Sequence, residues 1–484
     1  MWVLRGSARR EGSDFSWLLP SGEGLVSGPL WTSDEIGAAT DGTAYASFTA
    51  TGVTFDSREV GPGDLFLALK GEATDGHRFL DQAFAQGAAG AVVSESTAHP
   101  NVLVADTIAA LDALGTASRA RANGKVIGVT GSVGKTGTKE ALFAALDRMD
   151  PGCAHRSVKS YNNHTGVPLS LARMPRDARF GVFEMGMNHA GELAQLTRLV
   201  RPHVAMVTTI APAHMGFFAS EAAIADAKGE IFQGLEPGGT AIVPFDSPHR
   251  DRLIAAAKPH AGRILTFGLS DGADFRAVER MRTRTGGTFV TARFDARELS
   301  FTIAQPGEHW VSNAMAILAA VDAVGGDLEM AGLALAEMSG LAGRGARFMA
   351  EPPGGEALVI DESYNANPAS MRATLAVLAS EPGRKIAVLG EMRELGEHSD
   401  AFHAGLAESV EAAGVSYAIL VGKAMGALAN ALEGKVEFVH VPDAATARER
   451  LFAVLAPGDA VLVKGSNGVR LSTVVAALAE RAMA

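Results

Sequence analysis

The chain of 484 residues contains one cysteine, Cys153. It cannot close an internal disulfide, and a reducing compartment, the cytoplasm, is its natural setting. Basic side chains are outnumbered: 43 Lys and Arg against 54 Asp and Glu leave a net charge of −11. That balance argues against nucleic-acid binding and against an anionic membrane surface, while leaving room for a local basic pocket that takes a phosphorylated small molecule. No stretch approaches the roughly 18–20 uninterrupted apolar residues that span a bilayer, so no membrane insertion is expected. Residues 1–10 carry some positive charge, but no long apolar core follows, and they do not read as a signal peptide. Internal repeats and low-complexity tracts are missing too. What is present, 47% hydrophobic and 20% charged residues, describes a globular protein with ample core material, and the length suggests about three domains.

The most informative stretch is Lys125-Val-Ile-Gly-Val-Thr-Gly-Ser-Val-Gly-Lys-Thr136. An apolar run breaks into a glycine-rich turn, and a helical pattern opens after it. A buried strand, a tight loop and a helix N-terminus form an anion cradle, because unpaired backbone N–H groups point at the ligand. Gly131, Ser132, Val133 and Gly134 would wrap the phosphates, Lys135 would reach the terminal ones, and the Thr136 hydroxyl could ligate Mg²⁺. The usual pattern has another glycine where Val129 stands, so this is a shortened G-x-x-G-K-T form. The stretch implies a nucleoside triphosphate.

The expected fold class is α/β in three domains. Residues 1–28 read as a poorly ordered extension and 29–120 as a small α/β domain. In that domain strands are expected at Thr51 to Phe55, Leu65 to Leu69 and Ala91 to Ser94, with a helix at His77 to Gln86. Arg119 to Gly124 reads as a linker. Residues 121–341 alternate apolar strands (Phe180 to Phe183, Val204 to Thr208, Thr240 to Pro244) with amphipathic helices, the pattern of a largely parallel, ATPase-like sheet. The rhythm restarts in 342–484, with strands at Leu358 to Ile360, Ile386 to Leu389, Ala418 to Val421, Val436 to Val441 and Ala460 to Val463. That is a second, Rossmann-like doubly wound unit. No Gly-x-Gly-x-x-Gly turn follows its first strand, so nothing marks it as a dinucleotide site.

Three further residues could converge on the phosphates. Glu184 ends a strand, where a carboxylate can serve Mg²⁺. His214 follows another strand and could contact a second metal. Lys228 is placed on a helix. Each has an ordinary alternative: a solvated loop carboxylate, a packed histidine, a surface lysine. Their joint appearance downstream of a phosphate loop favours function.

Thr130 to Thr136, Tyr161-Asn-Asn-His-Thr-Gly-Val-Pro168, Glu184-Met-Gly186, His214, Lys228-Gly-Glu-Ile231 and Gly343-Arg-Gly345 together resemble the Mur ligase family, ATP-dependent amide-forming enzymes of peptidoglycan precursor synthesis. Asp361-Glu-Ser-Tyr-Asn-Ala-Asn-Pro368, with Ser370 and Met371, is similar to the member that adds D-alanyl-D-alanine. The Tyr-Ala-His-Thr-Pro type sequence of the member that adds the third amino acid is not found here. The resemblance implies that Ser57, Arg58, Asp75 and His77 hold the UDP end of a UDP-N-acetylmuramoyl tripeptide. Asn162, Asn163 and Thr165 would bind further along it, as would Tyr364, Asn365 and Asn367 from the last domain. Lys135, Thr136, Glu184 and His214 would handle ATP and two Mg²⁺ ions, with Lys228 carbamylated into an anionic metal-bridging ligand. Asn313 would contact adenine, and Arg344 and Asp361 would complete the nucleotide site. One departure is Trp310, which stands where the family commonly has the first Asn of His-Asn-x-x-Asn.

The reaction so implied converts a carboxylate to an acyl phosphate, which an amine then attacks, in a monomer whose last domain closes over the site. The runner-up is a folate or poly-glutamate ligase, which normally lacks a separate UDP-binding module. A silent ATP-binding module would be expected to lose at least one of Lys135, Glu184, His214 and Lys228. A motor-type NTPase or kinase would leave Asp56-Ser-Arg58 and Tyr364 to Pro368 without a purpose.

Overall fold

A computed structural model describes residues 28–71, 74–213, 215–284 and 286–481. Of the extension 1–28 only Gly28 falls among them, and His214 lies outside them.

The first sheet has five strands in the order Thr43–Ala44, Asn101–Leu103, Gly90–Val93, Asp64–Leu67 and Gly52–Thr54, parallel except for the first pair. Leu65, Phe66 and Leu67 are fully buried, as expected of a strand covered on both faces. The expected helix at His77 to Gln86 is a 3₁₀ turn, Gly76–Phe79, running into the helix Leu80–Ala85. The helix Thr107–Arg121, capped by the Asp106 carboxylate, runs through the first half of the expected linker. Arg119 explains why no loose segment exists there. Its side chain is 4% exposed and donates to Val200 O at 2.8 Å and Arg201 O at 2.7 Å, satisfying the last carbonyls of the helix Glu192–Val200.

The central sheet has nine strands. Lys125–Thr130 lies inside it between Val204–Val207 and Phe180–Glu184, all parallel. The expected alternation of strand and helix holds only as far as Arg263–Gly268. Beyond it Phe275–Arg282, Thr288–Phe294 and Arg297–Ile303 follow one another, the last two in antiparallel pairing and without helices between. Short turns such as Asp295-Ala296, with Asp295 at φ 51°, can join antiparallel strands, whereas parallel strands need a crossover. Behind the sheet the helix Glu308–Ala323 is buried along most of its length.

The third sheet runs Ala346–Ala350, Ala357–Glu362, Ala460–Lys464, Lys385–Gly390, Val415–Val421, Glu437–Val441. All neighbours are parallel except the first pair, whose edge strand the sequence reading did not include. Among the described residues no helix is long and apolar enough to cross a membrane.

Half-buried histidines tie several of these elements together. His203 Nδ1 accepts the Val126 N–H at 3.0 Å, at the start of the phosphate-loop strand, and burial with nearby Lys125 and Arg119 holds its pKa at about 4. Burial, helped by the Arg156 and Arg173 charges and opposed by the contact of its Nε2 with Ser170 O at 2.8 Å, pushes His155 to about 4 as well. An unfolded chain would protonate these rings near the ordinary 6.5, and the folded one only near 4. The unfolded state therefore binds more protons in that window. Stability should be flat above pH 6.5 and fall as pH drops toward 4, by at most about 1.4 kcal/mol per pH unit per histidine. Thermal unfolding midpoints across this range test it; a midpoint that does not move between pH 7 and pH 4.5 contradicts it.

Candidate active site

The strand Lys125–Thr130 is buried from Val126 onward and delivers Gly131 into a turn that only glycine fits. Gly131 has φ +150°, and a Cβ there would stand 1.9 Å from Thr208 Oγ1. Gly134, at φ +88°, begins the helix Lys135–Asp147, and its missing side chain leaves room for the Asn313 carboxamide. The loop is pinned from the neighbouring strand end: Ser132 N–H donates to Thr209 O at 2.8 Å, Ser132 Oγ to Ala211 O at 2.9 Å, and Thr208 Oγ1 to Val133 O at 2.6 Å. A loop held this way is pre-organised for its ligand.

Glu184, 1% exposed, ends the adjacent strand. Its Oε2 accepts the Thr136 hydroxyl and its Oε1 the Asn162 Nδ2, both at 2.8 Å. Lys135 donates to Gly131 O at 2.6 Å; burial lowers its pKa, and the Glu184 charge opposes that. Lys228 sits on the helix Glu221–Gly229 but is 1% exposed, so it is not a surface lysine. It has no hydrogen-bond or ion-pair partner among the described residues. Burial, reinforced by the Lys135 charge, drives its pKa well below the ordinary lysine value.

From the far side come C-terminal residues. Arg344 lies 4.1 Å from the Tyr364 ring centroid and donates to Ser160 Oγ at 3.2 Å. Asn367 caps the helix Pro368–Ala379 through Ser370 and donates to Ser132 O of the phosphate loop at 3.4 Å. These groups share one cavity of about 290 Å³, lined also by Asn365, Glu362 and Lys464. The cavity is thus walled by two domains, with cations on both sides.

Family comparison agrees with this geometry. The chain matches the Mur ligase family catalytic domain over residues 49–126, the Mur ligase middle domain over 129–321, and the Mur ligase glutamate ligase domain over 347–467. The chain belongs to the Mur ligase family. A relative from Escherichia coli (strain K12), the UDP-N-acetylmuramoyl-tripeptide–D-alanyl-D-alanine ligase, is 36% identical over 440 residues, covering 90% of this chain and 95% of its own. The crystal structure of MurF from Acinetobacter baumannii superposes with a TM-score of 0.81 at 33% identity, covering 93% of this chain and 99% of the other. MurF from Thermotoga maritima in complex with ADP gives 0.73 at 26% identity, covering 89% and 97%.

In this Mur ligase the cavity brings together Ser132, Val133, Gly134, Lys135, Thr136, Asn162, Glu184, Lys228, Asn313, Arg344, Tyr364, Asn365 and Asn367. Other expected site residues lie elsewhere. Asn163 Oδ1 accepts from the Thr165 N–H, the Thr165 hydroxyl and the Gly166 N–H, an Asx turn that starts the helix Gly166–Ala172. Asp361 is buried, accepting the Gly343 N–H at 2.6 Å and the Ser363 N–H and hydroxyl at 3.0 and 2.6 Å. It shapes the interdomain turn that carries Arg344 and does not line the cavity. Ser57, Arg58, Asp75 and His77 stay on the N-terminal sheet: Arg58 pairs with Asp56, and His77 bridges Asp75 to the Ser94 N–H. Trp310 lines the cavity with one edge and is otherwise core; a Cβ on Gly137 would meet its ring at 2.9 Å. Small at Gly137 and large at Trp310 are therefore complementary.

Glu362, Lys464, His309 and Ser160 line the cavity although the sequence reading gave none of them a role, Glu362 and His309 standing inside motifs whose other residues were singled out. A signal existed for the first two, each a charged residue ending an apolar strand at the ligand-bearing edge of a parallel sheet.

Proposed function

We propose that this chain uses ATP to join D-alanyl-D-alanine to a UDP-N-acetylmuramoyl tripeptide, the last ligation in making the soluble peptidoglycan precursor. The observation that carries this reading is the single cavity on which the phosphate loop, Glu184 and Lys228 meet Arg344, Tyr364, Asn365 and Asn367. The Escherichia coli relative's coverage of nearly its whole length supports the choice of substrates.

The chemistry follows from leaving groups. A carboxylate does not condense with an amine in water; transfer of the ATP γ-phosphate makes an acyl phosphate, and attack by the amine then releases phosphate. Lys135 neutralises charge on the transferring phosphoryl group, and positioning supplies most of the remaining rate. The N-terminal sheet, with Ser57, Arg58, Asp75 and His77, would hold the UDP end. Its loop meets the Lys159–Tyr161 segment through Glu59, so the substrate can run from that sheet to the cavity.

Magnesium fits the donor set. A hydroxyl and a carboxylate oxygen lie 2.8 Å apart beside the phosphate loop, and Mg²⁺ takes one or two such protein ligands while keeping phosphate oxygens and water. Thr136 and Glu184 would hold one ion, and His214 with carbamylated Lys228 a second; the ions would neutralise phosphate charge. Lys228 is buried, without a partner among the described residues and disfavoured as an ammonium, which favours the neutral amine that reacts with CO₂. We place the enzyme in the cytoplasm, where a single cysteine stays reduced, and as a monomer, since a three-domain enzyme that closes on itself needs no second subunit for its chemistry.

The test is phosphate release from ATP with the UDP-linked tripeptide, with and without D-Ala-D-Ala, carried out with diaminopimelate and lysine tripeptides. Sustained release should need both partners and yield a UDP-linked pentapeptide by mass. Release with folate and glutamate instead would move the chain to the folate or poly-glutamate ligases.

A further inference from the structure

The helix Lys135–Asp147 carries a second lysine, Lys139, one turn past Lys135. Its side chain is 0% exposed, which closes it off from the cavity, and no step of the chemistry above uses it. An ammonium has three N–H donors, and burying it is costly unless each finds an acceptor. Here all three do. Lys139 Nζ donates to Ser157 O at 2.8 Å and to Lys159 O at 2.7 Å, and it pairs with Glu140 Oε1 at 2.9 Å. The other Glu140 oxygen takes Arg156 Nε at 2.7 Å, so the counter-ion is itself fixed.

Residues 157–162, to which those two carbonyls belong, form neither helix nor strand, so such bonds give the segment its shape. Lys159 is at φ +53°, in the left-handed region that side chains rarely adopt, and its carbonyl is one of the two that Lys139 holds. This short segment touches all three domains. Lys159 and Tyr161 meet Glu59 of the N-terminal domain, and Ser160 Oγ accepts from Arg344 of the C-terminal one. Ser157 Oγ accepts the Glu184 N–H at 3.2 Å, and Asn162 Nδ2 donates to the Glu184 carboxylate at 2.8 Å. The carboxylate beside the phosphate loop is therefore set by a segment that a buried lysine clamps to the phosphate-loop helix.

We propose that Lys139 is a positioning residue for the ligation: its ammonium locks residues 157–160 to the phosphate-loop helix, so that Ser157 and Asn162 aim the Glu184 carboxylate. The proposal rests on the ligase reading of the cavity. Lys139 touches no reacting atom and acts only through that segment. The phosphate loop has anchors of its own beyond the strand on its other side, Ser132 Oγ to Ala211 O and Thr208 Oγ1 to Val133 O, so it keeps its shape without Lys139. Nucleotide binding and turnover should accordingly separate.

Lys139→Met keeps the length of the side chain and removes its three donors. Its kcat for phosphate release with ATP, UDP-linked tripeptide and D-Ala-D-Ala should fall about 100-fold, the cost of a misplaced group. The Kd of ADP in EDTA, measured by calorimetry, should stay that of the wild type. Hydrogen exchange in the full chain should quicken at the amides of residues 157–162 and not at those of 131–138. Because Lys139 acts partly through Asn162, the double variant Lys139→Met with Asn162→Ala should lose less than the product of the two single losses. An unchanged kcat, an ADP affinity that falls with it, or losses that multiply would each overturn the assignment. Lys139→Gln, one atom shorter and still able to donate, carries the same measurements if the methionine variant does not fold. A wild-type enzyme that releases no phosphate with both substrates would instead remove the ligase reading, and exchange at 157–162 would then still decide whether the clamp exists.

Discussion

Glu184→Gln is expected to lower turnover about 10³-fold while leaving the fold intact. The substitution keeps size and shape but removes the charge that faces Lys135, and it presents an amide N–H₂ to a partner that needs an acceptor. Thr136 Oγ1 and Asn162 Nδ2 both donate to this carboxylate at 2.8 Å, so at least one of them loses its acceptor or must turn. Buried donors without acceptors cost roughly 1–3 kcal/mol each, enough to displace the loop by the fraction of an ångström on which in-line transfer depends. The check is steady-state phosphate release at saturating ATP over a range of Mg²⁺ concentrations, with thermal unfolding as the control. A loss confined to the Mg²⁺ dependence, recovered at high Mg²⁺, would mean the carboxylate only binds the ion. Full activity at ordinary Mg²⁺ would remove Glu184 from the site.

Lys228→Met should be comparably severe, about 10³-fold, for a different reason. The wild-type amine is buried, without a partner among the described residues, and disfavoured as an ammonium by burial and by the Lys135 charge. On the reading proposed above, such an amine would add CO₂ to give a carbamate and a proton, exchanging a cation for an anionic oxygen donor that could hold Mg²⁺. The wild-type enzyme should therefore lose activity in CO₂-depleted buffer and regain it on adding bicarbonate, whereas the variant should respond to neither. ¹³C-bicarbonate should give a carbonyl resonance in the wild-type protein that Lys228→Met lacks. Wild-type activity indifferent to CO₂, with no such resonance, would leave Lys228 an unmodified lysine. Methionine is chosen because its length and apolar character suit the pocket, so the loss reads chemistry more than packing.

Much of the site was legible in the sequence because it is local. Gly131 to Thr136 encode their conformation through two glycines at positive φ and a helix start, and the apolar run Val126 to Val129 announces burial on both faces. Glu184 and the residues after the other parallel strands could be placed at the ligand-bearing edge from strand periodicity alone. Where the periodicity changed its cause, the reading changed with it. The strands from 275 to 303 turn back through short hairpins, whose pattern resembles any other run of alternating residues until pairing partners are known. Arg119 looked like linker charge, and only its contact with carbonyls 81 and 82 residues away made it an anchor.

The sequence by itself determined the α/β class, the phosphate loop, the order of the three units and the family to which they belong, all properties carried by neighbours along the chain. The tertiary structure decided which polar residues face one another. It turned Lys228 from a helical lysine into a buried amine and gave Asn163 and Asp361 to backbone N–H groups instead of to the cavity. It also set Glu362 beside Lys464 across 102 residues of chain. Burial and long-range pairing fix the charge state and the free valence of a side chain, and neither is written in its sequence neighbours.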